Sequence, residues 1–266
     1  MPDVFILYLA IGVLAGITAG LLGVGGGAVT VPLLLWVFKL EGINQEVATH
    51  VALATSLAAM IFTSVSSTLA HAEKGAVMWP VFLFLAVGVL MGSIVGVVSA
   101  VEISGTTLQI AFAIFLSYVA LQMLVGFSAG PRRELPSPLG IVGSGGVIGC
   151  VSMYFGIGGG SLTVPFLSYC GVAPGRAVGT SAALGLPIAL WGTLLYGLSG
   201  WGQPLLPEHT FGYVYWPAAL GIILTSILFA KLGATIAHRL KADQLRKVFG
   251  GVLVVVAVEM VVSNLV

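Results

Sequence analysis

The segment Gly23-Val24-Gly25-Gly26-Gly27-Ala28-Val29-Thr30-Val31-Pro32 returns as Gly156-Ile157-Gly158-Gly159-Gly160-Ser161-Leu162-Thr163-Val164-Pro165, identical at seven of ten positions and offset by 133 residues. Self-similarity of this kind marks an internal duplication. The match runs on with small shifts. Val47-Ala48-Thr49-His50 pairs with Val178-Gly179-Thr180-Ser181, and Trp79-Pro80 with Trp216-Pro217. Gly96 pairs with Gly233, Phe112 with Phe249, and Gln122-Met123 with Glu259-Met260. The chain therefore divides into a first repeat at 1–126, a linker at 127–138 and a second repeat at 139–266. The linker is basic and proline-rich, with Pro131, Arg132, Arg133, Pro136 and Pro138.

The repeat lies in an apolar chain. Of 266 residues, 58% are hydrophobic and 7% charged, with mean hydropathy +1.12. Soluble domains carry about 25% charged residues, so a water-facing surface cannot be covered here. The long unbroken apolar runs also exclude a β-barrel, whose strands alternate polar and apolar. What remains is an all-α polytopic membrane protein. A formal net charge of +1 gives nucleic acid no basic face. Cys150 and Cys170 sit in apolar runs and make no disulfide framework. Nothing basic precedes the first apolar run as a signal peptide would require.

Six single spans are expected, at 48–70, 77–100, 105–126, 178–198, 211–236 and 246–264. Two stretches of 35 residues, 4–38 and 139–173, hold the glycine clusters near their centres. One straight helix of that length would measure ~52 Å against a hydrocarbon core of ~30 Å. Each is therefore expected to be a re-entrant hairpin that turns back at its glycines. Charge parity supports this, because Lys and Arg concentrate in cytoplasmic loops. With even crossings, Lys74, Arg132, Arg133, Arg176, Lys231, Arg239, Lys241, Arg246 and Lys247 share one side and only Lys39 takes the other. Single crossings would split the ten cations about seven to three. Both termini and the loop 201–209 then lie outside the cell membrane. Three full spans per half make the halves inverted, the pattern of secondary transporters.

The paired GxGGGxxTVP segments, the Gly179-Thr180-Ser181 run after Arg176 and the doubled eight-segment layout resemble the sulfite exporter TauE/SafE family over nearly the whole chain. The resemblance implies transport of sulfite, sulfoacetate or another small sulfur-containing anion across the plasma membrane. It implies no cofactor, and a small anion and the bilayer as partners; a homo-oligomer is compatible with it.

The residues themselves suggest how an anion would be held. Thr is a good N-cap and Pro is tolerated in a first helical turn, so Thr30 and Thr163 are expected to open half-helices. Gly25, Gly26, Gly27, Gly158, Gly159 and Gly160 would give a side-chain-free approach. Two helix N-termini, each worth about half a positive charge, favour an anion without a buried cation. Ser161, Thr49, Thr180 and Ser181 are candidate hydroxyl donors. The competing reading is that the glycines serve close helix packing and the hydroxyls bond a carbonyl one turn back. His50, Arg176 and Glu259 are candidates for coupling or gating, against ordinary roles at the membrane interface. Ser144 in Gly143-Ser144-Gly145 has no histidine in an inner span to activate it, and no catalytic residue is expected. A channel lined by the same helix ends, or an uptake carrier for another anion, stays open at this point.

Overall fold

The computed structural model describes residues 2–22, 25–125, 134–237 and 250–260. In chain order the helices are α1 (Pro2–Leu22), α2 (Gly27–Glu41), α3 (Gln45–Ala72), α4 (Trp79–Ala100) and α5 (Gly105–Val125). Then follow α6 (Pro138–Phe155), α7 (Gly160–Tyr169), α8 (Pro174–Ser199) and α9 (Trp216–Ala237). The described part of α10 is Gly250–Met260. A short hairpin, β1 (Thr210–Phe211) and β2 (Val214–Tyr215), precedes α9, with Thr210 opposite Tyr215.

Among the described residues, seven helices, α1, α3, α4, α5, α6, α8 and α9, are long and apolar enough to cross a membrane. The first arm of each glycine-broken stretch is among them. Where a part-way hairpin is expected, each stretch is a helix long enough to cross followed by a shorter one: 21 residues then 15 in the first copy, 18 then 10 in the second. Both copies of Trp-Pro open helices of 22 residues, α4 and α9, because proline fits the first turn, where its missing N–H costs nothing.

Local sequence sets the other ends. Asn44 caps α3 by accepting from the Glu46 amide at 2.9 Å. Ser137 caps α6 before Pro138. Gly42, at φ 73°, closes α2 in the left-handed conformation that only glycine adopts without strain.

Helix pairing is symmetric under exchange of the halves. α1 runs along α9 and α6 along α4; α3 packs on α8; α3 also packs on α9 and α8 on α4. Glycines permit the two long pairings. A methyl group at Gly12 or Gly16 of α1 would overlap the Ile222 or Ser226 carbonyl of α9, and one at Gly233 would overlap the Ile17 carbonyl. Gly88 and Gly92 of α4 meet the Val142 and Gly146 carbonyls of α6, while Gly145 and Gly149 meet those of Leu85 and Val89. Lipid offers no hydrophobic drive between helices, so such backbone approach supplies the packing. At the centre stands α3, buried inside the protein over most of its length from Val47 to Ser64.

The hairpin differs from expectation, since 211–215 reads by hydropathy as the start of a span. Gly212, at φ 52°, makes its turn against the Gly197 carbonyl, where a side chain would not fit. The hairpin folds inward: Val214 is fully buried, and the Tyr215 amide donates to Thr55 Oγ1 in α3 at 3.0 Å. Tyr213 packs against His50 and Tyr196.

Candidate functional site

The two glycine breaks touch. A methyl group at Gly25 would lie 3.3 Å from Gly158 Cα, and one at Gly27 would overlap the Gly156 carbonyl and lie 2.9 Å from Ile157 Cα. Gly25 and Gly26 hold φ of 80° and 75°, and Gly156 59°, so the motif needs glycine for conformation as well as for approach. Ser56 of α3 ties the second break down by donating to the Gly156 carbonyl at 3.0 Å.

Each break starts a helix, though not where the threonines predict. α2 begins at Gly27 with Gly26 as cap, and α7 at Gly160 with Gly159 as cap. Thr30 and Thr163 are the fourth helical residues, and Pro32 and Pro165 lie inside their helices. The capping role expected of the threonines is therefore corrected. Gly26 turns the chain into α2 in the left-handed conformation, whereas Gly159 is already right-handed at φ −57°, and each cap carbonyl takes the amides three and four residues on. Val29 and Thr30 donate to Gly26 O at 3.0 and 3.1 Å, and Leu162 and Thr163 to Gly159 O at 3.1 and 2.6 Å. The first amides of each helix have no partner within it, so two N-termini face the junction.

Beside the junction lies a small cavity of about 10 Å³, room for one water-sized centre. Gly25, Gly158 and Gly159 line it from the breaks, with Ala19 from α1. The opposite wall is Thr63, Ser64 and Ser67 of α3, with Ala182 and Gly185 of α8. Among these lining residues there is no ionisable side chain. Thr63, Ser64 and Ser67 were missed in the sequence. The run Thr63-Ser64-Val65-Ser66-Ser67-Thr68 is the one signal that could have found them.

Three sequence candidates are buried with side-chain oxygens that have no partner, Ser161, Thr163 and Ser181, at 7%, 0% and 1% exposure; none of them is a lining residue of the cavity. Thr163 Oγ1 lies 2.9 Å from where a Gly159 methyl would be, and Gly159 lines the cavity. Thr30 behaves differently, donating one turn back to the Gly26 carbonyl at 3.1 Å.

The remaining candidates are employed elsewhere. Thr49 accepts from Gln109 Nε2 at 2.7 Å, and Thr180 from the Met78 amide at 2.9 Å. His50 is buried, 3.0 Å from the Ala100 carbonyl through Nε2. Arg176 is exposed in the first turn of α8. Glu259 lines a separate cavity of about 380 Å³ with Lys39, Gln45 and Gln109. Ser144 donates one turn back to the Gly140 carbonyl at 2.9 Å. Gly23 and Val24 of the motif, and Arg132, Arg133, Arg239, Lys241, Arg246 and Lys247, lie outside the described residues.

The residues order themselves along α3. Thr55 meets the hairpin, Ser56 the second break, Met60 the first break at Gly25, and Thr63, Ser64 and Ser67 the cavity. Ser67 also lines a further cavity of about 380 Å³ that includes His71, Glu73 and Lys231. The junction adjoins the Lys231 end and has the hairpin towards the other.

These features define a polytopic helical membrane protein whose two halves meet through broken helices at a buried polar point. Residues 8–260 match the sulfite exporter TauE/SafE family, and the chain belongs to that family. A probable membrane transporter protein of Haemophilus influenzae is 34% identical over 256 residues, 96% of this chain and 97% of its own. The probable membrane transporter protein YunE of Bacillus subtilis is 26% identical over 281 residues, 98% of each chain. The probable membrane transporter protein MJ0441 of Methanocaldococcus jannaschii is 28% identical, covering 93% of this chain and 91% of its own. No solved structure matches the chain. The protein is a membrane-embedded secondary transporter of this family, not an enzyme.

Proposed function

We propose that the protein carries a small sulfur-containing anion, such as sulfite, sulfoacetate or a similar organosulfonate, out of the cell by alternating access. The observation that carries this reading is the junction: two helices, one from each repeat, start at glycine breaks that touch, and Ser161 and Thr163 in the first turn of the second are buried with no partner. That arrangement suits an oxyanion, since backbone amides and hydroxyls donate and the helix ends supply positive potential. The preference for sulfur rests on the family description.

The exchange symmetry of helix pairing supports inverted repeats around a central site. Gly25, Gly26, Gly27, Gly158, Gly159, Gly160, Ser161, Thr163 and Ser181 form the substrate region, joined by Thr63, Ser64 and Ser67. Thr30, Thr49 and Thr180 position helices around it. Room for one water is less than any polyatomic anion needs, so the walls must part for loading, which is the motion alternating access supplies. Shared lining by Ser67 connects the site to the Lys231 side, which charge parity makes cytoplasmic, with both termini outside. A monoanion leaving an inside-negative cell gains ~2.3 kcal/mol per 100 mV, so the membrane potential suffices. A proton gradient would add His50 or Glu259 as coupling groups.

The test is a thermal-shift screen of purified protein in detergent. It would compare sulfite, sulfoacetate, thiosulfate, simple carboxylates and chloride at matched ionic strength. Sulfur oxyanions should stabilise the native protein, and Gly159→Leu should lose the effect. A shift of equal size for every anion, or one untouched by the substitution, overturns the assignment.

A further inference from the structure

We propose that the groove between α2, α5 and α10 binds a phospholipid whose headgroup carries both a phosphate and a free ammonium, as phosphatidylethanolamine does. The groove is the cavity of about 380 Å³ that holds Glu259. Its walls carry one cation, Lys39 of α2, and one anion, Glu259 of α10, together with the neutral polar side chains of Gln45, Thr106 and Gln109. Both glutamines are fixed through their nitrogens. Gln45 Nε2 donates to the Ile43 carbonyl at 2.9 Å, and Gln109 Nε2 to Thr49 Oγ1 at 2.7 Å. Each amide then has its carbonyl oxygen to offer. Lys39 can donate to a phosphate, while Glu259 and the two amide oxygens can accept from an ammonium. A simple anion would meet Glu259 unfavourably, and a simple cation Lys39. A zwitterion satisfies both.

Position makes that zwitterion a lipid. Lys39 lies in the last turn of α2, beside Glu41, Asn44, Gln45 and Glu46, a polar run that marks the level of the membrane interface. The side chains around the groove are exposed and apolar: Trp36 and Leu40 on α2, Ile110 on α5, and Val255 and Val258 on α10. Such surfaces face acyl chains in a bilayer, and Trp is favoured where the chains meet the headgroups. Glu259 is itself exposed among these valines, and a carboxylate on a lipid-facing helix is costly without a partner. A headgroup seated in the groove brings an ammonium to Glu259 and a phosphate to Lys39, while its acyl chains follow the apolar side chains outside. Lys39 belongs to the first repeat and Glu259 to the second, so one headgroup contacts both halves.

The experiment titrates purified full-length protein in detergent with phosphatidylethanolamine, phosphatidylcholine and phosphatidylglycerol of identical short acyl chains, and with soluble phosphoethanolamine. Thermal stabilisation is the readout. Phosphatidylethanolamine should act at concentrations at least about tenfold below the other two lipids, the worth of one charge-assisted hydrogen bond. The trimethylammonium of phosphatidylcholine has no N–H to donate, and phosphatidylglycerol has no cation. Glu259→Gln should remove the preference for phosphatidylethanolamine over phosphatidylglycerol, and Lys39→Met should weaken both. An equal response of the native protein to all three lipids overturns the site, and this comparison stands whether or not the variants fold. A preference that survives in folded Glu259→Gln also overturns it. Phosphoethanolamine acting at the same concentration as the lipid would make the ligand a soluble zwitterion and overturn the lipid assignment.

Discussion

Thr30 and Thr163 occupy matching places in the two repeats but are bonded differently, and the difference assigns them different work. Thr30 Oγ1 donates to the Gly26 carbonyl, whereas Thr163 Oγ1 is buried with no partner. An isosteric Thr30→Val should therefore cost about 1 kcal/mol of stability, the worth of one hydrogen bond, and leave anion stabilisation unchanged. Thr163→Val removes a polar atom that nothing satisfies, so the fold should hold or gain while anion stabilisation falls. Thermal melts of the two variants with and without sulfite decide this. Equal behaviour would remove Thr163 from the site. The motif itself was legible, because glycines at φ near 80° and 75° leave their mark as Gly25-Gly26. The α3 hydroxyls were not. Ser and Thr in an apolar helix usually bond their own backbone, and only the approach of the glycine breaks to α3 shows that Thr63, Ser64 and Ser67 share a cavity with them.

Helix pairs carry the packing that keeps the junction in place. Gly88 and Gly92 of α4 lie against backbone carbonyls of α6, leaving no room for a side chain. Gly92→Ala should force the helices apart and cost about 1–3 kcal/mol, read as a lower unfolding midpoint in detergent. Gly143 is the control. It lies in α6, and a methyl group there would meet nothing within 4 Å, so Gly143→Ala should be neutral or stabilise by up to about 1 kcal/mol. A similar loss for both would remove close packing as the reason for the α4 glycines. At this scale the spans were readable from apolar length, and Trp79-Pro80 and Trp216-Pro217 mark real helix starts. The hairpin at 210–215 was hidden because its aromatic and β-branched residues are as apolar as a span. It becomes a strand pair only through the Gly212 turn and contacts with α3 and α8.

The molecule as a whole is built from halves that exchange their first helices, α1 onto α9 and α6 onto α4, around the α3–α8 contact. Rocking one half against the other would open the junction to either side in turn. Placing the termini outside makes a separate prediction. A cysteine at Lys39 should label with an impermeant thiol reagent from outside intact cells, and one at Lys74 only after permeabilisation. The reverse pattern would reject the even-crossing topology. The repeat was visible in sequence because both copies kept the same glycine-rich pattern. That the copies touch was not visible, since no local pattern encodes a contact between residues 133 apart. The central claim, a carrier whose site is that contact, is tested most directly by counterflow in proteoliposomes. Vesicles loaded with unlabelled sulfite and diluted into labelled sulfite should accumulate label transiently above equilibrium, and Gly159→Leu should abolish the overshoot. Label that only equilibrates without overshoot, or an overshoot unaffected by Gly159→Leu, would contradict the account.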